Sequence, residues 1–552
     1  MVEKEQNISK RCHGLKFDLF ANNLEFKNQV KDLTKHFGLT DFTYNLVEKI
    51  YQENALRNTK KLMSNDFVYP RHYKKKKVVF NVINGIYGYG TFFSGGLAKA
   101  LQLRGHQPLI LTCGNALSMC TAGITIESPK KPCKNCVDYA NRFYKILDIP
   151  HKTYFDYISR QEIFNIETDS FVMDYDEKLY KGVNVAELAK NSADRYFEGK
   201  LDKIGYNNIY RQELLNAVIS VNVAEKLVEQ EKPDVLISQQ QHFSAWGGIA
   251  QYCRSKGIRT VEPAKGYDNN TVGFDIDKTN HQRFFNYYNS RKPKKLSIDE
   301  GAELWQFSCR RTVGEMDDVK LFGFTEQELL LDSNYEKTYT LFTNIPYDTG
   351  LLDIKRDFKD VYDWINFTID YFKNKPEHRL IIKIHPIEKV VRAQNTISDY
   401  IKQNIKLTDN IKIISADTKI NPYALIQITD VGILYSGTLG IELSLQGKPV
   451  ILVSDAHYAN KGFTFDAHSK KEYEKLLSKN LKVTSQRAKM ASVYAYYYFI
   501  KTFIPVNWFY YNNFLDVGWD IKSIEQLAHG EDKYLDTICD YIVNGGVYQK
   551  WK

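Results

Sequence analysis

Short apolar runs and helix-length amphipathic stretches alternate along most of the chain, and from position 77 they take the spacing of strand–helix–strand units. Val78-Val79-Phe80-Asn81-Val82-Ile83 reads as a buried strand, followed by a glycine-rich turn, Asn84-Gly85-Ile86-Tyr87-Gly88-Tyr89-Gly90. A helix through Leu97, Ala98, Ala100, Leu101 and Leu103 then stops at Arg104-Gly105-His106, ahead of a strand at Leu109-Ile110-Leu111-Thr112. Two further strands, 234–238 and 259–262, flank a helix over about 244–256. Between these units, 137–230 reads mainly as helices, 216–229 among them.

The second half repeats the pattern more cleanly. Strands are predicted at 339–344, 380–384, 411–415, 431–435 and 449–453, with helices at about 357–373, 389–404, 421–428 and 438–446. Short apolar runs between helices of this length predict parallel sheets covered on both faces. The expected fold is α/β, with two facing Rossmann-like domains and helical extensions at both ends. Its segments are a helical extension over 1–75, a first domain with a helical insertion over 76–335, a second domain over 336–484, and C-terminal helices over 485–552 that pack back on the first domain. Leu46, Ile50 and Leu56 lie at helical spacing in the first segment, and the charged, asparagine-rich stretch 275–337 carries the linker. The aromatic run Tyr494, Tyr496, Tyr497, Tyr498 and Phe499 is read as packing rather than membrane contact, because it is not confined to one helical face.

Composition narrows the class. A chain of 552 residues is too long for one core. Lysine and arginine (75) exceed aspartate and glutamate (66), for a net charge of +9. That mild excess suits a phosphorylated small molecule, an anionic polymer or a membrane surface, and no basic block resembles a nucleic-acid arm. Lys74–Lys77 is read as the solvated start of a strand. Met1–Lys10 is polar with no apolar segment behind it, and no run of 18 apolar residues occurs, so neither a secretory leader nor a membrane span is expected. The cytoplasm is the expected compartment, with possible peripheral contact at the inner face of the membrane.

In open parallel sheets, ligands bind beyond the carboxyl ends of the strands. Three predicted strands of the second half end in polar motifs: His385-Pro386-Ile387-Glu388, Ser436-Gly437-Thr438-Leu439-Gly440-Ile441-Glu442, and Ser454–Tyr458 followed by Lys461-Gly462-Phe463-Thr464. Backbone amides at a helix start bind phosphate oxygens, Ser436 and Thr438 add hydroxyl donors, and Gly437 permits close approach. Glu442 lies one turn further on the same face, placed to accept from ribose hydroxyls. His385 is placed to donate to a phosphate and so stabilise a leaving nucleotide. Lys383 is a further candidate, and Lys461 reads more simply as a solvated side chain.

These stretches resemble the capsule polysaccharide biosynthesis glycosyltransferases. The likeness rests on Lys383-Ile384-His385-Pro386, on Tyr435–Glu442 with Gly447-Lys448-Pro449-Val450 behind it, and on His457–Thr464. It is good over about 338–470, fair at 234–266 and thin elsewhere. It implies the GT-B arrangement and transfer of a sugar from a nucleotide-sugar donor to a glycan or lipid-linked glycan acceptor. A His-Pro motif with a following serine/threonine motif also occurs in Kdo transferases and sialyltransferases that use CMP-sugars.

An inverting transfer needs a base opposite the donor phosphate. The resemblance implies a glutamate at the end of the strand 259–262, which Glu262 fits. Gln239-Gln240-Gln241-His242, after the preceding strand, departs from the family's Asn-Gly-Arg, and His242 is the second candidate. Gly88-x-Gly90 resembles part of a dinucleotide fingerprint, but the third glycine is misplaced and no acidic residue sits suitably at the end of the second strand. None of the predicted strands is followed by Asp-x-Asp, so a metal-independent reaction without a cofactor is expected. Cys113, Cys120, Cys133 and Cys136 are read as reduced structural thiols, with a structural zinc site as the less favoured reading. Two other functions compete: a nucleotide-sugar epimerase of similar fold, and a non-catalytic nucleotide- or glycan-binding subunit.

Overall fold

The computed structural model describes residues 41–63, 75–85, 88–120, 133–168, 179–197, 205–268, 270–313, 335–344, 357–390, 397–418, 420–513 and 516–548, with side chains at 41–48, 277–280, 389–390 and 513 excepted. The strands are β1 (Lys77–Ile83), β2 (Gln107–Thr112), β3 (His151–Thr153), β4 (Val235–Ser238), β5 (Arg259–Val261), β6 (Pro263–Lys265), β7 (Thr271–Phe274), β8 (Lys337–Phe342), β9 (His378–Lys383), β10 (Ile411–Ile414), β11 (Val431–Leu434), β12 (Val450–Leu452), β13 (Phe465–Asp466), β14 (Ile504–Pro505), β15 (Phe509–Asn513) and β16 (Asp516–Trp519).

Two parallel sheets dominate. The first runs β3-β2-β1-β4-β5 and the second β10-β9-β8-β11-β12-β13. Counted from each sheet's own first strand, the first has the order 3-2-1-4-5 and the second 3-2-1-4-5-6, the doubly wound topology, so each half is a Rossmann-like unit. The near-continuous apolar runs of β1 and β9 follow from burial on both faces: Val78, Val79, Phe80, Leu380, Ile381 and Ile382 are all buried. In each sheet the chain reverses direction of growth between two strands, β1 and β4 in the first and β8 and β11 in the second.

The stretch read as linker contains two helices, Ile276–Ser290 and Ile298–Thr312. Their buried side chains Phe284, Leu304 and Phe307 join one cluster with Ile441, Tyr458, Tyr494 and Phe499 of the second half. The helix Ser485–Ala495 runs straight into a π-helical turn, Tyr496–Lys501, and the aromatic run is buried in that cluster.

Beyond it the chain crosses to the first half. β14 pairs with β7, and Trp508, Phe509, Leu535, Ile538 and Tyr548 share a core with Val78, Phe92 and Leu101. This segment was expected to be helical. It carries the antiparallel hairpin β15–β16 before the helix Lys533–Asn544. At the other end, the helix Asp41–Leu62 buries Leu56 and leaves Ile50 exposed, while Leu46 lies outside the described side chains. No helix among the described residues is long and apolar enough to cross a membrane.

Candidate functional site

Strand order brings the carboxyl ends of β9, β8 and β11 side by side, and short side chains stitch them. Thr343, just past β8, accepts the His385 N–H at 2.9 Å through Oγ1. Asn344 accepts the Ser436 N–H at 3.1 Å through Oδ1. His385 and Ser436, 51 positions apart in the sequence, are thereby held by adjacent residues at the switch point of the sheet. Within its own loop, His385 accepts the Ile387 N–H at Nδ1 (3.2 Å), which leaves Nε2 as the protonated nitrogen of the neutral ring.

The turn after β11 needs its glycines. Gly437 has φ +98°, a left-handed value that a side chain resists. At Gly440 a Cβ would come within 2.4 Å of the Tyr458 hydroxyl. Thr438 caps the helix Leu439–Leu445 without a side-chain capping bond.

The cations are held differently from expectation. Lys383 is buried, its ammonium 3.3 Å from the Ser415 carbonyl, and burial lowers its pKa to about 8. Lys461, read as solvated, is also buried. Its Nζ lies 2.6 Å from His281 Nδ1 and donates to the Ala459 carbonyl at 3.0 Å, and burial again lowers its pKa to about 8. The third motif thus ties the helix Ile276–Ser290 to the second half. In the same loop His457 stacks on Tyr498 with ring centroids 4.1 Å apart and bonds the Tyr494 hydroxyl at 2.8 Å. Burial, then the Lys461 charge, lowers its pKa to about 3.

Glu442, assigned to ribose from the sequence, lies against a cation that sequence reasoning did not single out. Its Oε1 accepts from Arg311 Nε at 2.7 Å, with the side chains only 8% and 6% exposed. The Arg311 guanidinium also lies over Tyr267 at 5.2 Å and Phe499 at 5.5 Å. Tyr267 belongs to the loop between β6 and β7 and bonds Tyr498 at 2.8 Å, so this ion pair sits at the joint of the two halves.

In the first half, Glu262 and His242 stand on neighbouring loops. Glu262 accepts the Gln241 N–H at 3.0 Å, and its own N–H donates to Asp275 at 2.9 Å. The His242 carbonyl accepts from Asn191 at 3.1 Å. Both side chains are half-buried. Asp275 opens an Asp-Ile-Asp triplet (275–277) directly after β7, a strand absent from the sequence reading, so one strand end does carry Asp-x-Asp. The Asp275 carboxylate is engaged by the Glu262 N–H and by the Tyr541 hydroxyl at 2.6 Å.

Beside β4 lies a buried polar cluster. Ser192 and Ser244 hydroxyls meet at 3.0 Å, and burial raises the pKa of the neighbouring Glu213 to about 7. The four clustered cysteines are thiols, not disulfides. Burial and the nearby Cys113 push the Cys136 thiol up to about 12, while a hydrogen bond with the Gly85 backbone opposes them. Among the described residues no group of three or more His, Cys, Asp or Glu is arranged to hold a metal ion. A cavity of about 690 Å³ lies elsewhere, between the helix Asp41–Leu62 and the hairpin β15–β16, and no strand-end residue of the second half lines it.

Residues 278–504 match the family model described as capsule polysaccharide biosynthesis protein. The match covers under half of the chain and makes this segment similar to the capsule polysaccharide biosynthesis family. The matched segment is also a physical unit: it takes in nearly all of the two helices 276–312, the second sheet and the aromatic run that closes their common core.

Among solved structures, a KpsC β-Kdo 2,4 transferase of Thermosulfurimonas dismutans is similar at 12% identity, with TM-score 0.35, over 50% of this chain and 83% of that one. The UDP-GlcNAc 2-epimerase of Neisseria meningitidis aligns at 10% identity and TM-score 0.26, over 77% and 96% of the two chains. That of Methanocaldococcus jannaschii aligns at 12% and 0.27, over 76% and 97%. No curated protein matches the chain in sequence.

Proposed function

We propose that the protein is a metal-independent glycosyltransferase that moves a sugar from a nucleotide-sugar donor to a surface polysaccharide or glycan acceptor. The observation that carries this reading is the pairing of Thr343 with His385 and of Asn344 with Ser436 at the switch point of the second sheet, inside the matched segment. In this reading the donor phosphates lie against the amides and hydroxyls of Ser436-Gly437-Thr438. His385 Nε2 donates to a phosphate oxygen and so stabilises the charge that develops as the nucleotide leaves. Glu442, steadied by Arg311, faces the ribose, and Lys383 adds positive potential from below the loops. Glu262 takes the proton of the acceptor hydroxyl, with His242 as the second candidate. Closure of the cleft between the halves excludes water from the transfer.

A thermal-shift screen of the full chain against CMP, UDP, GDP and dTDP tests the donor half. One nucleotide raises Tm by mass action, and His385→Ala removes the rise. An unchanged rise in that variant overturns the phosphate assignment. Incubation with the matching sugar nucleotide then tests the reaction: isomerised donor in the absence of any acceptor identifies an epimerase instead. Turnover that persists after Glu262→Gln combined with His242→Ala removes both base candidates.

A further inference from the structure

The helix Ile298–Thr312 is apolar on two sides. Its inner side buries Leu304 and Phe307, and Phe307 stacks on Phe499 at 5.0 Å. Its outer side carries Ile298, Ala302, Trp305 and Cys309, spaced i, i+4, i+7 and i+11, which places them in one stripe. Ile298 is 90% exposed and Trp305 70%, and Val313, in the next turn, is 67% exposed. Large exposed apolar stripes on a surface helix mark contact sites.

Charge says which surface. Lys292, Lys294 and Lys295, all exposed, immediately precede the helix, and Lys501 lies beside it, over the Tyr496 ring at 5.9 Å. Of the nearby acids, Glu300 is paired with Arg291 at 2.8 Å and Asp268 with Arg310 at 2.8 Å, while the Glu303 carboxylate accepts a hydrogen bond from the Tyr496 hydroxyl. Asp299 is the exposed acid of the first turn. Lysines flanking a stripe of isoleucine and tryptophan fit an anionic lipid surface, with the apolar side chains at the acyl boundary and the ammonium groups among the headgroups.

We propose that the outer face of Ile298–Thr312, with Lys292, Lys294 and Lys295, docks the protein on an anionic phospholipid bilayer. The aromatic run at 494–499 takes no part, being buried. The inference does not depend on the donor reading, but it has a consequence for it. Arg311, on the docking helix, holds Glu442 of the helix after β11, so docking sets the candidate site at a fixed height over the lipid.

The test is co-sedimentation of the full chain with phosphatidylcholine vesicles that contain, or lack, about a third of phosphatidylglycerol. Binding to the anionic vesicles should exceed binding to the neutral ones by about tenfold or more, fall with salt, and shift Trp emission to the blue. Ile298→Glu combined with Trp305→Glu should reduce it about tenfold, and Lys292→Gln, Lys294→Gln and Lys295→Gln together should remove most of the salt dependence. Retained unfolding temperatures and nucleotide shifts in these variants separate lost docking from lost folding or a failed donor site. The proposal is overturned by a wild-type chain that ignores anionic vesicles, or by equal binding of the glutamate double variant. A solution dimer that this variant dissociates, without any vesicle binding, overturns it in favour of a second copy.

Discussion

The two sheets share a strand order, yet their switch points are furnished differently. In the first, Asn81 and Ser238 face each other across β1 and β4 and bond side chain to side chain at 3.0 Å in a buried pair. In the second, Thr343 and Asn344 reach past the strand ends to backbone N–H groups of the next loops. The first arrangement closes a core. The second fixes two loops and keeps His385, Ser436 and Thr438 only half-buried. Both sheets have a switch point, and at the second the side chains just past the central strand bond the backbone of the two neighbouring loops.

The comparison can be pressed hardest at the joint. Arg311→Met leaves the Glu442 carboxylate buried without its cation, and should cost about 3–5 kcal/mol in denaturant unfolding. Adding Glu442→Leu should recover most of that loss, since the pair as a whole contributes little net stability.

The halves should also answer pH in opposite senses. Glu213, in the first, has a raised pKa near 7 against 4.5 unfolded, so its stabilising protonated form is present below pH 4.5 and lost as pH rises through 7. Glu213→Gln should therefore raise stability at pH 8 by up to about 3 kcal/mol and do little at pH 4. His457, in the second, has a pKa lowered to about 3 from 6.5, so native stability is lost as pH falls from 6.5 toward 3. His457→Phe should flatten that acid limb in a Tm–pH series.

Asn344→Ala and Asn81→Ala should each cost about 1–2 kcal/mol, but only the former should abolish the nucleotide-induced rise in Tm. If Asn81→Ala abolishes it as well, the contrast between the switch points is gone. Gly437→Ala should cost about 1–2 kcal/mol through its positive φ. Smallest of all, Arg142→Ala, which breaks an exposed pair with Glu53, should change stability by less than about 1 kcal/mol.

What could be read from the chain follows from range. β1, β2, β4, β9 and β11 are apolar runs that announce themselves locally, and their polar sequels, His385 and Ser436, were legible as strand ends. β3 is only His-Lys-Thr, too short and polar to stand out. The helices of 276–312 bury few side chains amid lysine and asparagine, so they passed for a linker. The hairpin β15–β16 hid in an aromatic stretch that suits helix or strand alike, and β7, unseen, concealed an Asp-x-Asp at its end. Thr343 and Asn344 were inside a predicted strand, and their partners are 42 and 92 residues away. Arg311 and Glu442, 131 apart, meet only through the fold. Local pattern reveals elements; the bonds that organise a site are set by strand order.

The return of the chain to the first half has a consequence for how the protein is made. The core around Val78, Phe92 and Leu101 is walled by Ile504, Trp508, Phe509, Leu535 and Tyr548. The half that leaves the ribosome first therefore waits, part of its core uncovered, until some 400 further residues have been synthesised, which takes on the order of tens of seconds at 5–20 residues per second. The second half, closed by residues no later than 500, needs no such wait. Order of synthesis and order of completion are reversed.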